Sequence, residues 1–88
     1  MMNHQDLTTD TRRTLESDFV ELLTCHRRSL FRTIFYMVRN VPDAEEIFQQ
    51  TAITLWDKFS SFEPGTDFEA WGSVVARYKV RDFLKSKA

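Results

Sequence analysis

Glycine and proline are nearly missing from this chain, and the few present divide it. Two of each occur in 88 residues. Pro42 stands in "NVPD", Pro64-Gly65 stands in "SSFEPGTD", and only Gly72 falls inside a long periodic run. An all-β fold needs turn residues every few positions. A chain broken at just two places predicts long helices between the breaks. Those helices must also share one core, because a chain this short buries only about 60–65% of the surface its unfolded form exposes. Eight Phe, two Trp and two Tyr supply the material.

The apolar spacing agrees. Phe19, Leu22, Leu23, His26, Leu30, Thr33, Ile34 and Met37 recur at helical intervals on one face. Val20, Phe31, Phe35 and Val38 form a second apolar flank, so this helix should touch more than one neighbour. Glu21, Arg28, Arg32 and Arg39 lie opposite. Ser17 is the expected N-cap, and residues 1–14 read as a flexible N-terminal arm outside a helical domain spanning 15–88. His26, on the apolar stripe, is expected to be buried with one hydrogen-bond partner. A second helix begins near Pro42, with Val41 pushed away from the α region by the proline that follows it. Asp43, Glu45 and Glu46 suit the positive end of its dipole. Ala44, Ile47, Phe48, Thr51, Ala52, Leu55 and Phe59 form its inner face. Pro64-Gly65 then makes a turn, Thr66 or Asp67 caps a third helix, and Phe68, Trp71, Val75, Ala76, Val80 and Phe83 face inward from it. The expectation is an all-α, compact bundle of three main helices with Trp71 and Leu55 largely buried.

Several function classes are excluded. One cysteine, Cys25, forms no internal disulfide, and with two histidines it makes no metal site at any standard spacing. Cys25 is expected to be a structural or surface thiol. No nucleophile–base pair or phosphate loop stands out, so no enzyme and no cofactor is expected. No apolar run reaches transmembrane length, and "MMNHQDLTTDTRR" lacks the apolar centre of a signal peptide. The expectation is a cytoplasmic protein with no membrane partner.

The net charge of −1 hides a division. Between Asp43 and Glu69 the chain is acidic, with Lys58 the lone cation. From Arg77 onward it is basic, with Asp82 the lone acid. At about 100° per residue, Arg77, Arg81 and Lys85 fall on one straight stripe of the last helix, flanked by Val74 and Tyr78. This pattern suits nucleic acid. It equally suits a solvated helix end, where cations complement the dipole. On the middle helix, Glu46, Gln49, Gln50, Ile53 and Asp57 lie opposite the core, with Trp56 at the boundary. An isoleucine ringed by amides and carboxylates suits protein docking, and it also suits an ordinary exposed face.

The ordered set "DAEEIFQQTAITLWDKF", a "PG" turn, "FEAW" and "ARYKVRDFL" strongly resembles region 2 of bacterial σ factors. It is most similar to the compact extracytoplasmic-function type, and the match runs from about Phe19 to Lys85. The resemblance implies the σ2 domain of an RNA polymerase σ factor acting in transcription initiation. Glu46, Gln49, Gln50, Ile53 and Trp56 would then bind the clamp helices of the β′ subunit. Val74, Arg77, Tyr78, Arg81 and Lys85 would face the promoter −10 element on its non-template strand. The loop from Ser60 to Asp67, containing Phe62, would capture a flipped base and contribute selectivity. An anti-σ factor is a further partner the family allows.

The chain departs from the usual pattern at four places. Gln49-Gln50 replaces a Gln-Glu pair and removes one acidic contact. Tyr78 replaces the asparagine after Ala-Arg, so the promoter preference of relatives does not carry over. Gly72 stands where leucine often follows the tryptophan, a weak spot costing about 1 kcal/mol relative to alanine. Val74 and Val75 stand where housekeeping factors carry melting tryptophans, and they stack poorly. The family's −35-reading domain has no counterpart in these 88 residues. Set against the σ2 reading is a σ-like protein-binding module or decoy without DNA binding.

Overall fold

The computed structural model describes residues 4–87, with side chains from Arg13 onward. It contains α1 (His4–Val38), α2 (Val41–Lys58), a short 3₁₀ turn (Phe59–Ser61) and α3 (Phe68–Lys87), with no strand among the described residues. The expected all-α bundle of three main helices is what forms.

α1 is longer than its apolar pattern suggests. Ser17 lies inside it and not at its N-cap, because the helical backbone reaches back to His4. The core begins only at Leu15, in keeping with the N-terminal arm read from the sequence, whose backbone is helical from His4. Arg13 and Thr14 are exposed, and Leu15 is the first described side chain packed against the core. The part of that reading that concerns residues 1–3 lies outside the described residues.

The break at "NVPD" works differently from the expectation. Asn40 takes the extended conformation (φ −149°, ψ 121°) and serves as N-cap, its side chain accepting from the Asp43 N–H at 3.0 Å. Val41 is thus the first helical residue, with Pro42 in the first turn where a missing N–H costs nothing. α1 ends one residue earlier at Arg39, whose φ of +55° is left-handed. Its N–H donates to the Phe35 carbonyl at 2.7 Å, the usual left-handed helix stop made by a residue without glycine's freedom. At the second break, Pro64 and Gly65 (φ +86°) occupy the central positions of a turn closed by the Thr66 N–H donating to the Glu63 carbonyl at 3.2 Å. Asp67, and not Thr66, caps α3: its carboxylate accepts from the Ala70 N–H at 3.0 Å.

Contacts between helices give their directions. Phe19 meets Trp56 and Arg27 lies over Phe48, so α2 runs antiparallel to α1. His26 meets Glu69 and Leu30 meets Gly72, so α3 runs parallel to α1. The core comprises Phe19, Leu30 and Ile34 from α1, Ala44, Ile47, Phe48 and Leu55 from α2, Phe59 and Phe62 after it, and Phe68, Ala76 and Val80 from α3. Thr51 is fully buried among them, and its hydroxyl donates to the Ile47 carbonyl at 2.8 Å, so no polar atom is stranded.

Four core expectations need adjustment. Val20 and Met37 are exposed. Trp71 is half-buried at the edge of an aromatic cluster with Phe59, Phe62 and Phe68. His26 is also only half-buried. Its ring lies 5.6 Å from that of Phe68, and its Nδ1 is 3.5 Å from a Glu69 carboxylate oxygen.

Gly72 is no weak spot. It is buried against both other helices, and a Cβ there would lie 3.2 Å from a Leu30 methyl and 3.5 Å from a Leu55 methyl. The missing side chain makes room for two leucines.

Candidate functional site

Two exposed faces of opposite chemistry are built on this core. On α2, the burial of Ile47, Thr51 and Leu55 fixes the rotation of the helix. Residues about 100° and 200° away must then point out. Glu46, Gln49, Gln50 and Asp57 are exposed, and Ile53 is 63% exposed. Trp56 sits half-buried at the rim, held by Phe19 at 5.4 Å and Phe59 at 6.3 Å between ring centroids. The face offers an apolar knob, a fixed aromatic edge and acceptors around them. It suits a partner with apolar and basic groups.

On α3, the fully buried Ala76 and Val80 turn Arg77, Arg81 and Lys85 outward. Val74 and Tyr78 are exposed beside them, at 54% and 61%. The Arg81 guanidinium lies 5.9 Å from the centre of the Tyr78 ring, so cation and ring share one platform. Among the described residues none of the three cations pairs with a carboxylate. The stripe is therefore available to an anion, and the ring beside it to a base.

The loop between the faces holds a surprise. Phe62 is buried, stacked on Phe59 at 5.6 Å, tilted against Trp71 at 4.8 Å and edge-on to Phe68 at 5.6 Å. Its ring anchors the loop and is not presented to solvent. The spacing from Leu55 through Phe59 to Phe62 continues the inner face of α2 by steps of four and three, the signal that could have revealed this. Above the anchor, Glu63, Pro64, Gly65, Thr66 and Asp67 are exposed. The Thr66 hydroxyl donates to the Glu63 carbonyl at 2.6 Å and that of Ser61 to the Lys58 carbonyl at 2.7 Å, so the loop is tied internally. Cys25 is an exposed thiol, and no cluster of metal-binding side chains occurs among the described residues.

The segment that carries these faces matches a known protein family. A family profile described as Sigma-70 region 2 matches residues 22–88, three quarters of the chain, from the middle of α1 through α2 and α3. The chain belongs to the Sigma-70 region 2 family. This σ region 2 chain is also similar to the extracytoplasmic-function RNA polymerase sigma factor SigX of Bacillus subtilis (strain 168). They are 23% identical over 73 residues, covering 83% of this chain and 38% of the relative. The chain thus spans well under half the length of that relative. No solved structure matches it significantly. The family is one of transcription regulators. No helix among the described residues is long and apolar enough to cross a membrane.

Proposed function

We propose that this σ region 2 domain docks on the β′ clamp helices of RNA polymerase through the outer face of α2. It then holds the −10 element of the promoter through α3 and the loop before it. The observation that carries this reading is the separation of the faces. Ile53, among amides and carboxylates, and Tyr78, among cations, project from different helices of one packed bundle. Polymerase and DNA can therefore be held at once without competing for the same side chains.

The chemistry assigns the roles. Glu46, Gln49, Gln50 and Ile53 contact the clamp helices, with Trp56 holding the rim. Arg77, Arg81 and Lys85 contact backbone phosphates, which sets affinity without reading sequence. Tyr78 reads bases by stacking, with Val74 beside it. The loop from Ser60 to Asp67 receives the flipped base of the non-template strand. Phe62 supports selectivity from beneath, by holding the loop's shape. Val74 and Val75 stack poorly, so melting is confined to favourable sites.

The test is assembly with core RNA polymerase followed by titration with single-stranded −10 oligonucleotides. Capture by polymerase that Ile53→Glu abolishes, together with strand binding that Tyr78→Ala weakens more on preferred than on scrambled sequence, supports the reading. Capture by polymerase with no strand binding would favour a decoy that binds protein alone.

A further inference from the structure

The stripe on α3 does not end at that helix. α1 and α3 run parallel, and the His26–Glu69 and Leu30–Gly72 contacts set their relative height. Advancing both helices together from the Leu30–Gly72 contact brings Arg32 and Tyr36 of α1 level with Val74 and Tyr78 of α3, so that Arg77 and Arg81 stand a little under one turn above them. Rotation follows from the same contacts at about 100° per residue. Arg32 and Tyr36 lie on the side of α1 turned outward beside α3, and Arg77 lies on the side of α3 turned outward beside α1. Half-buried Ser29, Thr33 and Ser73 fall between them, so a shallow hydroxyl-lined floor separates two cationic walls. All four outer residues are exposed, Tyr36 at 63%.

The arginines of this face are unpaired: among the described residues Arg32, Arg77 and Arg81 have no carboxylate partner. On α1 the nearest exposed acid toward the N-terminus is Glu21, three helical turns below Arg32; on α3 Glu69 lies at the foot of this face, two turns below Arg77 and engaged with His26, and Asp82 falls on the opposite flank, toward α2. Tyr36 repeats the arrangement at Tyr78: an arginine, Arg39, lies 5.1 Å above its ring. No large apolar residue stands between the arginines, unlike Ile53 on α2. A protein interface wants an apolar centre. A phosphate backbone wants cations and hydroxyls, and arginine's planar fork suits it best.

We propose that α1 and α3 together form a two-helix-wide seat for the phosphate backbone of duplex DNA. Arg32 and Tyr36 contact the duplex that adjoins the unpaired strand held at Tyr78. This inference rests on the promoter-binding reading above and adds α1 to it. Helix axes in contact lie about 8–10 Å apart, so the seat is broad enough to engage a duplex backbone across both helices. A single strand needs only the stripe of α3.

The test uses the chain assembled on core RNA polymerase and a duplex carrying an unpaired segment, titrated across a series of salt concentrations. Arg32→Gln is expected to lower the log–log salt slope by about 0.9, the value for one lost duplex phosphate contact. Lys58→Gln, at the far end of α2, is expected to leave the slope unchanged. An independent readout needs no substitution. Cys25 is the chain's single cysteine, is exposed, and lies on the same side of α1 about 10 Å from Arg32 along the helix. An iron chelate attached there is expected to cleave the duplex next to the unpaired segment. A complex that binds DNA with the same slope for Arg32→Gln as for Lys58→Gln, and shows no cleavage from Cys25, overturns this inference alone. A complex that binds no DNA at all overturns the promoter-binding reading and this one with it. Loss of polymerase capture by Arg32→Gln in the absence of DNA overturns it too, and gives the face to a protein partner.

Discussion

Ile53 and Phe62 show how differently single side chains were legible. Ile53 could be placed outside from sequence because its neighbours at helical spacing, Thr51 and Leu55, could be placed inside, and both are fully buried. Phe62 was harder, since it follows the helix that sets its rotation and sits in a segment whose turn residues suggest a surface loop. The two residues therefore predict opposite outcomes. Ile53→Glu is expected to change folding stability by less than about 0.5 kcal/mol, as exposed substitutions do. It should weaken polymerase docking by about 2 kcal/mol, roughly thirtyfold, as the truncation of a central anchor does. Thermal melting and a binding titration check both halves. Phe62→Ala is expected to cost about 3–5 kcal/mol of stability by emptying the aromatic cluster, a large share of what a domain this small possesses. A melting point within a degree or two of the parent would show that the ring is not needed beneath the loop. Leu55→Ala, at the centre of the same core, is expected to cost about 2–5 kcal/mol by the same cavity argument and is read the same way.

Helices and their ends were legible in type and less so in boundary. The third helix was fixed by the Pro64-Gly65 turn and by Asp67, whose carboxylate holds the Ala70 N–H. Asp67→Ala is expected to cost about 1 kcal/mol, seen as a lower denaturant midpoint at unchanged slope. α1 ran past its expected start because a helix needs no apolar face to continue, only an absence of breakers, and no glycine or proline precedes Pro42. Gly72 was misjudged for a related reason. Helix propensity is a property of one element, whereas the reason for this glycine lies in two others. Alanine at position 72 gains about 1 kcal/mol of propensity but presses on Leu30 at 3.2 Å, so Gly72→Ala is expected to be nearly neutral. Gly72→Val is expected to destabilise by about 1–3 kcal/mol through overpacking. Combining it with Leu30→Ala should recover part of that loss, as coupled neighbours do. Strict additivity in that double mutant would place the clash elsewhere.

At the level of the molecule, the three-helix architecture and its two outward faces followed from spacing, charge and turn residues, while the parallel course of α1 and α3 did not. Helix direction in a bundle is decided by connections and packing, and a periodic pattern reads the same up or down. The different chemistry of the two faces makes the bundle answer to salt unevenly. The proposed docking through Ile53 would rest on apolar burial, whereas the proposed strand holding through Arg77, Arg81 and Lys85 would rest on cations and released counterions. Raising salt is therefore expected to release DNA well before it releases polymerase, measured as two separate midpoints in one salt titration of the ternary complex. The close approach at Gly72 also bears on the order in which the chain assembles. α1 and α2 meet across the short Asn40 connection, whereas the Leu30–Gly72 contact joins residues far apart in sequence and closes a long loop. The α1–α2 hairpin should thus be structured in the folding transition state, and α3 should dock late into the slot between Leu30 and Leu55. In a chevron plot, Asn40→Ala would then mainly slow refolding, while Gly72→Val would leave the refolding arm nearly in place and raise the unfolding arm.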